Sequence, residues 1–423
     1  MGFLNTGVLD RSGGLPGADR ARAWLVVQHL RQWEAWQEGD GPVEGPLDLE
    51  QVALIGHSRG GEAVAAATAL VAAGADPDLP GQELSTGARV STVVALAPSD
   101  GLVPVGDEPV MLEDVNYLTL AGSHDADVGA FAGSNQFART ATTADTVKAA
   151  VAIHRADHAQ FNARWGRYDV GLGLAKHVLD RAALLDPEEQ RQVATVLVSA
   201  FLDNTLRGDA AAGALFDGDL PEAAWLPRTG YRVAAASGER GGVIDFTDAS
   251  VTGDGLQTPL GPVGLDGAVG TVAPLPLRAG TSDNATLHLG LDGERGTVTL
   301  PAAELGPGDW VVVDLARLEP GPQSVTATLE VADTSGVTAS CPVTGEEGIP
   351  DHLSGRTVKL GLLQPTALSE PALQTYAVQL TCAADAGVDV VGIESVTLVL
   401  ESDAPVTVLI DNIGPVSGGG AMR

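Results

Sequence analysis

The first half of the 423-residue chain alternates short apolar runs with polar loops and helical patterns. The apolar runs span residues 52–55, 90–97, 117–121 and 149–154, and helical spacing spans residues 18–37, 63–73 and 178–206. Apolar runs of this length suit strands that are buried on both faces, and helices between them suit parallel connections. This half is therefore predicted to be an α/β domain with a parallel sheet and flanking helices.

The pattern changes near residue 228, where strand-like runs alternate with Gly- and Pro-containing turns and long helical patterns stop. The predicted strands are 231–235, 269–277, 285–291, 310–315, 324–331, 357–362, 375–382, 394–401 and 406–410. Many short strands separated by such turns predict an all-β sandwich, in this case jelly-roll-like. The predicted domains are an α/β domain at 1–210, a linker at 211–227, a sandwich at 228–416 and a disordered tail at 417–423.

One stretch carries a recognisable chemical pattern, Gly56-His57-Ser58-Arg59-Gly60. It follows the first apolar run and precedes an alanine-rich helical pattern, which is the strand–turn–helix context of a G-x-S-x-G elbow. Glycines leave room where the turn crowds neighbouring backbone. The following helix directs its N-terminal N–H groups at the serine, which favours developing negative charge there. Ser58 is therefore predicted to be a nucleophile.

Three further polar residues also follow apolar runs, namely Asp100, Asp125 and His158. Because ligands of open α/β sheets bind beyond the carboxyl ends of the strands, these residues and Ser58 are expected at one edge of the sheet. A serine nucleophile needs a base and a carboxylate that orients it. The chain order Ser58, Asp125, His158 is the Ser…Asp…His order of α/β-hydrolases.

The segments 56–61, 121–128 and 156–162 resemble the α/β-hydrolase superfamily, especially bacterial chlorophyllase/dienelactone-hydrolase-like and polyester-hydrolase-like serine esterases. The resemblance spans about residues 3–205. It implies Ser58 as nucleophile, His158 as general base, Asp125 as orienting acid and the backbone N–H of Arg59 as an oxyanion donor. Rival bases are His57 and His154.

Asp127 and Asp100 are rival acids. The resemblance also exposes a gap, because such hydrolases place about four strands and the second oxyanion donor before the nucleophile strand. Only about 50 residues precede Ser58 here. We therefore expect a fragment of a longer protein whose N-terminal strands are missing.

The resulting functional prediction is a serine hydrolase that cleaves carboxylic esters, small or polymeric, through an acyl-enzyme. Motifs typical of a metal site do not appear in the sequence, so no metal or cofactor is expected. The alternatives are a catalytically impaired, hydrolase-like binding protein that acts through its sandwich, and an acyltransferase or thioesterase. The sandwich has few aromatic residues, and we expect it to be mainly a spacing domain without strong sugar affinity.

The formal net charge of −31 argues against nucleic acid as a partner, since such a chain repels phosphate backbones. Apolar runs of the roughly 20 residues needed for a membrane span do not occur. Cys341 and Cys382 both lie in the predicted sandwich and are expected to form a disulfide, which would indicate an oxidising compartment. The full-length protein is therefore expected to be secreted or in the cell envelope, although this chain shows no signal peptide.

Overall fold

A computed structural model describes residues 18–39, 41–42, 45–79, 81–106, 108–164, 166–169, 177–217, 220, 225–238, 242–252, 255–301, 309–364 and 366–416. Its helices are α1 (Ala18–Glu38), α2 (Arg59–Ala73), α3 (Gly133–Ala138), α4 (Pro187–Arg207), α5 (Ala210–Gly213) and α6 (Thr381–Asp385), with 3₁₀ turns at Ala159–Phe161 and Ala214–Phe216. The predicted tail at 417–423 lies outside the described residues.

The strands fall into two groups along the chain. The first group is β1 (Val52–His57), β2 (Val90–Leu96), β3 (Leu112–Glu113), β4 (Asn116–Gly122), β5 (Thr140–Ala141), β6 (Val147–Ile153) and β7 (Tyr231–Ser237). The second group is β8 (Ser250–Thr252), β9 (Gly255–Thr258), β10 (Gly261–Asp266), β11 (Val269–Leu277), β12 (Gly280–Asp292), β13 (Arg295–Thr299), β14 (Trp310–Arg317), β15 (Val325–Asp333), β16 (Thr338–Pro342), β17 (Gln374–Gln379), β18 (Ile393–Ser402) and β19 (Pro405–Val416).

The sheet half (residues 18–238) is built on a five-stranded sheet in the order β1-β2-β4-β6-β7. The first four strands run parallel, and β7 runs antiparallel to β6. One face shares a core with α1 and α2 through residues such as Val27, Val93 and Tyr117. The other face packs on α4 through Leu197 and Phe201. The predicted sandwich strand at 231–235 is therefore misplaced, because it closes this first sheet.

Helix α4 begins at Pro187, nine residues later than the spacing predicted. Asp186 is the N-cap and forms a reciprocal capping box with Glu189, and Pro187 occupies the first turn. A capping box satisfies backbone donors that have no partner inside the helix, so it fixes the start more sharply than apolar spacing does. Gly208, with φ 70°, ends the helix in the left-handed conformation.

The sandwich half (residues 242–416) has one sheet in the order β16-β15-β18-β13-β10-β9-β8 and a second in the order β11-β12-β19-β14-β17. Strand β15 shows the period-2 pattern of a half-buried strand, since Val325, Ala327, Leu329 and Val331 are buried. The predicted strand at 357–362 is wrong, because only an isolated bridge between Leu179 and Val358 is found there. Short Gly- or Pro-containing strands, such as β9 and β10, were missed because their apolar signal is weak.

The predicted disulfide is confirmed. Cys341 in β16 is bonded to Cys382 in α6, with Cα atoms 5.9 Å apart. The bond ties an edge strand of the larger sheet to the segment that follows β17.

The predicted fold class, a partial α/β-hydrolase sheet followed by a sandwich, is wrong in its first part and confirmed in the second. Twelve strands lie in the two sandwich sheets, and the smaller parallel sheet has four parallel strands. An α/β-hydrolase core is not found among the described residues. The reason for the error is that short apolar runs followed by helices indicate parallel pairing, but they do not identify which of many parallel-sheet folds is formed.

Candidate functional site

Ser58 sits in a strained turn between β1 and α2. Its backbone has φ 59° and ψ −131°, a conformation that non-glycine residues rarely adopt. Its N–H donates to the carbonyl of Leu96 at 2.9 Å, which fastens the turn to the end of β2. Strain of this kind persists only where surrounding contacts hold it in place. Arg59 begins α2, so its N–H belongs to the positive end of a 15-residue helix, as predicted for an oxyanion donor.

Asp125 and His158 form a buried pair. His158 Nδ1 donates to Asp125 Oδ2 at 2.8 Å, and the exposed fraction is 3% for Asp125 and 0% for His158. The other oxygen, Asp125 Oδ1, accepts from the backbone N–H groups of Asp127 and Val128 at 2.9 and 2.7 Å. The carboxylate therefore holds the imidazole in one tautomer and orientation.

Charges around the pair affect the proton on His158. Burial by itself lowers the pKa of His158, but its hydrogen bond with Asp125 and the charges of Asp125, Asp127 and Asp169 outweigh burial and raise it. His158 Nε2 lies 3.4 Å from Asp127 Oδ2. An imidazole held in this way accepts a proton readily, which is the property of a general base.

The rival residues are engaged elsewhere. His57 Nε2 donates to the carbonyl of His158 at 3.1 Å, and burial, followed by the charge of His158, lowers the pKa of His57 to about 4. His154 Nε2 donates to the carbonyl of Ser354 at 3.0 Å. Asp100 is bound by the guanidinium of Arg139 and by the amide of Asn135.

Asp157, beside His158 in sequence, is a buried acid with a strongly perturbed pKa. Burial and the charge of Asp169 raise the pKa of Asp157 to about 8. An acid whose folded-state pKa is raised binds its proton in the folded state. Its contribution to stability is present at low pH and is lost as the pH rises from about 4 to about 8.

Asp157→Asn is therefore expected to raise the free energy of unfolding at pH 8 and to flatten its decline between pH 5 and 8. The gain should exceed about 1 kcal/mol, since one unit of pKa difference is worth about 1.4 kcal/mol. Urea unfolding at several pH values measures it, with the exposed Asp48→Asn as control. Parallel pH profiles for wild type and Asp157→Asn would contradict this expectation.

A second feature was not predicted from the sequence, a cleft of about 340 Å³ between the two halves. Its apolar wall comes from the sheet half through Phe131 and Phe137 and from the sandwich half through Leu275 and Leu373. Its residues come from segments far apart in the chain, so no local motif signals it. Sites of this kind commonly combine an apolar lining with a few convergent polar groups.

The polar side of the cleft contains Arg139, Asp245, Asp283, Asn284 and Asn412. Arg139 Nη1 donates to Asp283 Oδ2 at 2.7 Å, which links the two halves at the cleft. Asn284 and Asn412 donate to the buried carboxylate of Asp411 at 2.7 and 3.2 Å, which fixes both amides. The Asp283 side chain is 60% exposed, and a carboxylate has about four acceptor positions, so it can accept further hydrogen bonds.

Fold and sites define a two-part protein with a small parallel sheet and a β-sandwich. The described residues contain no group of three or more His, Cys, Asp or Glu side chains arranged to hold a metal ion. None of the described helices is both long and apolar enough to cross a membrane.

Comparison with known proteins gives only distant structural likenesses. No protein family model matches the chain, and no curated protein matches it. An exo-β-agarase structure matches 43% of this chain and 25% of its own length, with 12% identity and a TM-score of 0.27. The CBM22-1 xylan-binding domain of Paenibacillus barcinonensis Xyn10C matches 41% of this chain and 90% of its own length, with 13% identity and a TM-score of 0.24.

The C-terminal family 22 carbohydrate-binding module of Clostridium thermocellum Xyn10B matches 42% of this chain and 94% of its own length, with 11% identity and a TM-score of 0.25. The agarase match spans about a quarter of that enzyme. These findings contradict the assignment to α/β-hydrolase serine esterases, because the similar structures are carbohydrate-binding modules and agarases. The prediction of a serine esterase is therefore wrong, and the Ser…Asp…His order misled because order alone does not establish a reaction.

Proposed function

We propose that this chain is a binding protein that takes a carbohydrate ligand in the cleft between its two halves. The observation that carries the proposal is the cleft itself, where Asp283, Asn284 and Arg139 face an apolar wall containing Phe131 and Phe137. Carboxylate, amide and guanidinium groups supply acceptors and donors for hydroxyl groups, and apolar rings pack on C–H faces. This differs from the expected spacing domain, because that expectation considered aromatic residues of the sandwich alone.

Asp283→Ala is expected to weaken binding of a soluble polysaccharide about tenfold, since a hydrogen bond to a charged group contributes about 1.5–3 kcal/mol. The measurement is calorimetric titration of the full chain with a panel of soluble plant and algal polysaccharides. Asp266→Ala is the matched control, because Asp266 is exposed in the other sandwich sheet. Binding by Asp283→Ala as tight as wild type, or no binding of any polysaccharide by wild type, would exclude this site.

The roles predicted for Ser58, Asp125, His158 and the N–H of Arg59 are a separate proposal, independent of the cleft and of any particular substrate. The strained turn and the Asp125–His158 hydrogen bond support an activated serine. A fluorophosphonate probe should label wild type, fail to label Ser58→Ala and label His158→Gln at least about 100-fold more slowly, the usual scale of general-base assistance. Labelling of Ser58→Ala at the wild-type rate would remove Ser58 from the site.

The disulfide between Cys341 and Cys382 supports the proposal that the protein works in an oxidising compartment, because such bonds are rare in reducing cytosol. Domain boundaries at 210 and 228, and the exclusion of nucleic acid, stay predictions. Tight retention on heparin and nucleic acid columns at physiological salt would contradict the latter.

A further inference from the structure

Arg278 and Glu370 form a buried ion pair where the sandwich half meets the sheet half. Arg278 Nε donates to Glu370 Oε1 at 2.9 Å, and the two side chains are 5% and 2% exposed. Arg278 lies in the turn between β11 and β12, and Glu370 lies in the segment before β17, so both belong to the sandwich half.

The pair grips the loop 123–131 of the sheet half near both of its ends. Arg278 Nη1 donates to the carbonyl of Ser123 at 3.0 Å. Glu370 Oε1 accepts from the backbone N–H of Phe131 at 2.9 Å. Asp125 lies between these two anchors and takes hydrogen bonds from N–H groups of the same loop. The position of its carboxylate therefore depends on how the loop is held.

We propose that Arg278 and Glu370 are positioning residues for the Asp125–His158 pair, so that the sandwich half sets the geometry of a site in the sheet half. A buried ion pair adds little net stability compared with apolar residues of similar size, so stability alone does not explain this pair. What apolar residues would not supply is a donor for the Ser123 carbonyl and an acceptor for the Phe131 N–H. The inference does not rest on ligand binding in the cleft.

The test is an NMR titration of the full chain with isotope-labelled histidine, with the His158 signal assigned from His158→Gln. The charged and titratable groups that face His158 are Asp125, Asp127, Asp169 and His57. Arg278→Met should lower the pKa of His158 by about one unit, because a displaced Asp125 stabilises the imidazolium less. Arg295→Met is the matched control, since it breaks the exposed Arg295–Glu330 pair of the sandwich and should leave the titration unchanged.

Arg278→Met also leaves the Glu370 carboxylate buried without its cation, which destabilises the fold. The double variant Arg278→Met/Glu370→Met removes that charge and should regain thermal stability. Its His158 should nevertheless keep the lowered pKa, because neither methionine can bind the loop ends. A wild-type titration of His158 in the double variant, or in Arg278→Met itself, would overturn the proposal.

Discussion

Replacing Cys341 and Cys382 together by alanine is expected to lower the free energy of unfolding of the sandwich by about 4 kcal/mol. The two residues are 41 positions apart in sequence, and the bond between them restricts the unfolded chain. Cys341 is also fully buried in the sandwich core, so its truncation adds a small packing loss. Urea unfolding followed by circular dichroism measures the change.

Two results would contradict this expectation. One is an unfolding midpoint of the double variant equal to that of the oxidised wild type. The other is titration of two free thiols in wild-type protein that has been unfolded without a reductant. Wild type in reducing buffer is the control, and it should unfold close to the double variant.

Gly56→Ala is expected to destabilise the sheet half by about 3 kcal/mol, the upper part of the range for forced overpacking. A Cβ at residue 56 would collide with the carbonyl group of Gly60 in the first turn of α2. Because that neighbour is backbone, the collision can be relieved only by moving the strand or the helix. The same movement would displace Ser58 and the N–H of Arg59.

Gly60→Ala is the matched control for this substitution. A Cβ at residue 60 has no heavy atom within 4 Å, and the residue lies in α2, where alanine is the better helix former by about 1 kcal/mol. We therefore expect Gly60→Ala to be neutral or slightly stabilising in thermal unfolding. Equal losses from the two substitutions would show that crowding between the strand and the helix is not what requires Gly56.

Several features were determined by the sequence because their physical causes are local. The apolar runs at 90–97 and 117–121 correspond to β2 and β4, since a buried strand needs only a short continuous apolar segment. The strained turn at Ser58 follows from glycines on both sides of it and a helix-forming segment after it. The pairing of Cys341 with Cys382 followed because no other cysteine is present.

Other features were decided only by tertiary structure. Strand β7 resembles any alternating strand in sequence, and its place beside β6 depends on contacts with residues 147–153. The cleft unites Phe131 with Asp283, and the ion pair Arg278–Glu370 reaches a loop about 150 residues earlier in the chain. Such convergence has no sequence period, because distances along the chain do not limit which side chains meet once the core is packed. For the same reason, the order Ser58, Asp125, His158 predicted the contact between the last two residues but did not establish a reaction.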